Sequence, residues 1–78
     1  MIVTRVRPGE APEIADKIYI DHLSDGRIVW TGSVDIGGAA VFGYSRGEFA
    51  NAEEAEFAAI QWASGHGATE LTIETADA

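Results

Sequence analysis

Two histidines, thirteen carboxylates and no cysteine make up most of the reactive side chains in this 78-residue chain. Asp21 and His22 stand near Ser24, and His66 stands near Ser64. Each set holds the residue types of a general base and a hydroxyl nucleophile. Such a pair works only when the base lies within hydrogen-bond reach of the nucleophile, and near neighbours on one strand or helix cap seldom aim at one another. Neither set reads as catalytic. His66 reads instead as a helix-terminal histidine, favourable beside the negative end of the helix dipole. Two histidines at unrelated positions do not make a zinc site. The lack of cysteine excludes disulfides, thiolate ligands and a cysteine nucleophile. The glycines near Ile36 lack the spacing of a Walker or dinucleotide loop and read as a turn.

The carboxylates remain, and their distribution is uneven. Five basic residues against thirteen acidic ones give a net charge of -8. Up to Gly47 the two signs nearly balance; after it there is no lysine or arginine, while Glu48, Glu53, Glu54, Glu56, Glu70, Glu74 and Asp77 follow. A field of that sign repels phosphate backbones and attracts basic surfaces. The expected partner is therefore a protein with a basic surface, with no direct nucleic-acid contact. A chain this short buries only about 60% of the surface its unfolded form exposes, which leaves one thin core and no room for a deep substrate cavity. No apolar run approaches the roughly 20 residues of a membrane span, and Met1 to Val6 has no signal-peptide hydrophobic stretch. A cytoplasmic setting without membrane contact is the expectation.

The elements that position these groups follow from local pattern. Met1 to Val6 alternates like a short strand, and Arg7-Pro-Gly-Glu-Ala-Pro12 interrupts regular structure, so residues 1–12 read as an N-terminal arm and linker of a single domain spanning 1–78. The segment 12–18 permits a short helix or the start of a strand. Strand is preferred for Lys17 to Leu23, because Ser24-Asp25-Gly26 is hairpin chemistry and Arg27 to Val34 resumes with β-branched and aromatic residues. Gly37-Gly38 makes a second turn before a strand over Ala39 to Ser45. Asn51 is a good N-cap, and Glu54 three residues later gives a capping-box pattern. Ala52, Ala55, Ala59, Trp62 and Ala63 share one helix face, with Trp62 as its anchor; Phe57 lies roughly opposite and should be partly exposed. Gly65-His66-Gly67 ends the helix, and Glu70 to Thr75 alternates as a last strand with Leu71 and Ile73 inward.

The predicted fold is α+β, one helix packed on a four-stranded mixed sheet in the order βββαβ, with the last strand parallel to the first of the meander and beside it. The first six residues would add an edge strand.

The run Asn51-Ala-Glu-Glu-Ala-Glu-Phe-Ala-Ala-Ile60, followed by Gly67-Ala-Thr-Glu-Leu-Thr-Ile-Glu-Thr75, resembles the helix and fourth strand of the ribonuclease H-like family. The βββαβ order is similar as well. In that family a helix glutamate and aspartates on the first and fourth strands hold two magnesium ions that activate water for phosphodiester cleavage. The resemblance implies Glu56 as the helix glutamate and Asp21 as the first-strand aspartate, if Ile18-Tyr-Ile-Asp21 is that strand. If Val29-Trp-Thr-Gly-Ser33 is, Thr31 takes the position. Thr75-Ala76 stands where the family shows Thr-Asp, with Asp77 displaced by one residue and hence turned to the other side of a strand.

An incomplete carboxylate set favours a noncatalytic, cofactor-free role. In size and charge the chain is similar to small acidic phage-type inhibitors, including anti-CRISPR and DNA-mimic proteins. The leading expectation is an inhibitor that docks on a basic, nucleic-acid-binding surface through Glu53, Glu54, Phe57, Glu70 and Glu74. The alternatives are a degenerate ribonuclease H-like nuclease using Asp21, Glu56 and Asp77, and an antitoxin-like partner that uses a sheet edge.

Overall fold

The computed structural model describes residues 1–76. Five strands and one helix follow in the order β1 (Ile2–Val6), β2 (Lys17–His22), β3 (Ile28–Ile36), β4 (Ala39–Tyr44), α1 (Ala52–Gly65) and β5 (Glu70–Glu74). The α+β class stands as expected, but the sheet has five strands, not four, in the spatial order β1-β5-β2-β3-β4.

The meander forms where the turn chemistry placed it. Residues 13–15 turn before β2 begins at Lys17, which settles the open segment in favour of a strand start. Leu23 donates its N–H to the Arg27 carbonyl and closes the first hairpin around Ser24-Asp25-Gly26. At the second, Gly37 and Gly38 have φ of 61° and 88°, the double positive φ of a tight two-residue hairpin, where side chains other than those of Gly, Asn and Asp are strained. The Asp35 carboxylate accepts the Gly38 N–H at 2.8 Å and holds that turn.

β5 enters between β1 and β2 and runs parallel to both, pairing Leu71 with Val3 and Ile73 with Ile18. Parallel neighbours cannot be joined by a tight turn. The chain from Arg7 to Asp16 therefore crosses β5 as a strap. It does so on the side away from α1: Glu74 points to that side, and its carboxylate accepts the Gly9 N–H. The N-terminal segment is thus an edge strand plus a strap over the sheet.

One core lies between α1 and the sheet. Ile18, Ile20, Ile28, Trp30, Val34, Leu71 and Ile73 from the strands meet Ala55, Ala59 and Ala63, all ten buried. The alanines let the helix axis approach closely. Trp62, half-buried at the margin of this core, fills the hollow left by two paired glycines: a Cβ on Gly43 would lie 2.4 Å from its ring, and one on Gly32 would lie 2.7 Å from it. Its indole also meets Trp30, with ring centroids 5.3 Å apart.

Candidate functional site

Asn51 caps α1 by accepting the Glu54 N–H at 2.9 Å. The return bond of the capping box is shifted by one residue, since Glu54 Oε2 takes the N–H of Ala50 and not that of Asn51. Both glutamates of the first turn complement the helix dipole. Phe57 lies one turn on, three residues from Glu54 and four from Glu53, spacings that place all three side by side. It is 64% exposed. Asn51, Glu53, Glu54 and Phe57 line one shallow depression of about 410 Å³. Three of the five expected partner-binding residues therefore form a single surface.

The other two do not join it. Glu70 is exposed, but strand alternation turns it to the sheet face opposite α1, where it borders a hollow lined by Ile14, Ala15, Asp16 and Thr72. Glu74 shares that face and is buried, 7% exposed, beneath the strap. Its carboxylate is engaged by Gly9 and contributes no surface contact. No single flat partner could touch Glu70 and Phe57 together.

The nuclease set fares similarly. Glu56 is not a surface glutamate. It is 8% exposed, and Arg5 on β1 donates from Nε to its Oε1 at 2.7 Å. Asp21 is exposed and sits on the opposite sheet face, because its neighbour Ile20 points into the core under α1. The sheet thus separates Asp21 from Glu56, and Asp77 lies outside the described residues. Thr31, the alternative to Asp21, is exposed on the same far face as Tyr19 and Tyr44, with which it pairs. Among the described residues no three of His, Cys, Asp and Glu gather closely enough to hold a metal ion.

Much of the acidic half answers internal groups. Glu48 reaches Arg27 at 3.4 Å, Glu56 meets Arg5, Glu74 meets Gly9, and Glu54 shares itself with Ala50. Arg27 also contacts Asp25 at 2.6 Å, and that guanidinium lowers the Asp25 carboxyl below its ordinary value while the Arg27 value rises. His66 turns back on its own helix, with Nδ1 2.9 Å from the Trp62 carbonyl and its ring 5.1 Å from that indole.

Sequence reasoning passed over a second surface. Among the described residues, the far face of β2, β3 and β4 has no covering element beyond the strap over β5, and it leaves Tyr19, Phe42 and Tyr44 exposed at 37%, 77% and 73%. Alternation in β4 was the signal: Val41 and Gly43 face α1, so Phe42 and Tyr44 had to face away.

Comparisons of this chain with protein families, with curated proteins and with solved structures returned no match. No helix among the described residues is long and apolar enough to cross a membrane.

Proposed function

We propose that this chain is a noncatalytic binding module that docks the exposed side of α1 on a basic protein surface. The observation that carries the reading is the convergence of Glu53, Glu54 and Phe57 on one depression, an apolar side chain 64% exposed between two carboxylates. Interface anchors are commonly aromatic groups within a polar rim. Glu53 engages no cation among the described residues, so its charge is available to a partner. A surface that otherwise holds nucleic acid has the sign of charge this module would meet. An inhibitor of the anti-CRISPR or DNA-mimic kind would work in this way.

The test begins with affinity capture using the intact chain, followed by rate measurements on the purified binder. Reversing Glu53 and Glu54 to lysine should slow association and flatten its salt dependence, because rim charges act on the encounter. Phe57→Ala should act on dissociation, costing on the order of 1 to 2 kcal/mol. Association unchanged by the charge reversal and indifferent to salt would remove α1 from the interface.

A further inference from the structure

We propose that β4 is a self-association edge, across which a second copy of this chain pairs antiparallel to make a continuous sheet. The inference is independent of the α1 surface and rests on the opposite side of the molecule.

β4 is the last strand of the sheet, so one side of its backbone has no partner among the described residues. Which groups face outward can be read from the ladder. The Ser45 N–H donates to the Trp30 carbonyl at 2.9 Å, in the same register that pairs Tyr44 with Thr31. In an antiparallel pair, hydrogen-bonded positions alternate along the strand. Ala39, Val41 and Gly43 therefore bond inward to β3, and Ala40, Phe42 and Tyr44 present their N–H and C=O groups outward.

Proteins commonly blunt such an edge with charge, proline or a bulge. The sequence Ala-Ala-Val-Phe-Gly-Tyr of β4 carries no charge and no proline. It also carries two of the most exposed aromatic side chains, Phe42 and Tyr44. A second β4 suits this edge in three respects. With Phe42 on the two-fold axis, every outward position meets an outward position: Phe42 opposite Phe42, and Ala40 opposite Tyr44. The small Ala40 leaves room for the tyrosine ring, and the aromatic side chains align on one face, as cross-strand pairs do. The same register sets the C-terminal end of β4, which leads into a bend carrying Arg46, against the Gly37-Gly38 turn of the second copy, and Arg46 makes no ion pair among the described residues. The Asp35 carboxylate sits at that turn, so each end of the joint brings groups of opposite charge toward one another. A strand edge with its flanking aromatics is smaller than the roughly 800 Å² per partner of a standard stable interface, so the dimer is reversible and concentration-dependent.

Sedimentation equilibrium over a concentration series, with residue-resolved amide exchange by NMR, tests the pairing. The expected mass rises from the 8.3 kDa monomer toward twice that value. The Ala40, Phe42 and Tyr44 amides should exchange about tenfold more slowly once nine-tenths of the chains are paired, since exchange then proceeds through the free chain. Amides of Val41 and Gly43, already bonded to β3, should change little. Phe42→Lys places like charges on the axis and Arg46→Glu faces Asp35 with its own sign; each should return the protein to monomer, with a melting temperature equal to that of the parent at dilutions where it is monomeric. Ile2→Lys, on the other sheet edge, should leave the dimer intact. A monomer at every concentration overturns the proposal. So does a dimer that survives both β4-side substitutions, or slowed exchange that avoids Ala40, Phe42 and Tyr44.

Discussion

Arg5 on β1 donates from Nε to Glu56 on α1 at 2.7 Å, tying the outermost strand to the helix past β5. The Glu56 side chain is 10% exposed and that of Arg5 52%, so the carboxylate would be the stranded partner if the pair were broken. Removing one member of a buried polar pair costs more than the pair contributes. Arg5→Leu should therefore destabilise the protein by about 1 to 3 kcal/mol, while Glu56→Gln, which keeps an acceptor for Arg5, should cost less. Urea unfolding of both variants decides this, and equal losses would mean that the carboxylate charge matters more than its burial.

Trp62 sits over Gly43 so closely that the glycine is required by the indole. Gly43→Ala should cost about 1 to 3 kcal/mol through overpacking. Trp62→Ala should cost about 3 kcal/mol, the low end for an aromatic truncation because the ring is only half-buried. In the double variant the alanine at 43 should be nearly neutral, since the ring it strikes is gone. Additive losses in a double-mutant cycle would show that Gly43 is needed for its backbone and not for the space above it.

The Asp25 carboxyl titrates below its ordinary value because the Arg27 side chain, and then the Arg27 backbone N–H, bond its charged form. A lowered folded-state value stabilises the fold above the ordinary carboxylate range and is lost as pH falls through the folded value. Both side chains are about half exposed, so the gain is small and screened by salt. Arg27→Gln should raise the Asp25 titration midpoint toward that of a free aspartate and weaken the acid-side slope of stability. NMR titration of the Asp25 carboxyl carbon reads it directly.

Magnesium and manganese should leave the melting temperature unchanged and support no cleavage of an RNA–DNA hybrid. The reason is positional, since Asp21 and Glu56 lie on opposite sides of the sheet and Arg5 already occupies Glu56. Metal titration by calorimetry with a hydrolysis assay provides the check. Cleavage abolished by Glu56→Gln would overturn the noncatalytic reading.

Local chemistry made the meander, the helix and its cap legible. Asp25-Gly26 and Gly37-Gly38 demand turns, Asn51 supplies the acceptor for a free helix N–H, and alternation assigns Leu71 and Ile73 to one face and Glu70 to the other. The position of β5 beside β2 also followed from topology. Long-range pairing decided the rest. Nothing within Met1 to Val6 states that it will lie beyond β5, and nothing within Glu70 to Glu74 states that a strap will pass over it. Yet those two placements turn Glu56 and Glu74 from apparent surface charges into internal partners of Arg5 and Gly9. Periodicity fixes which side chains share a face. Which faces are covered depends on segments 51 and 65 residues apart, brought together only by the folded sheet.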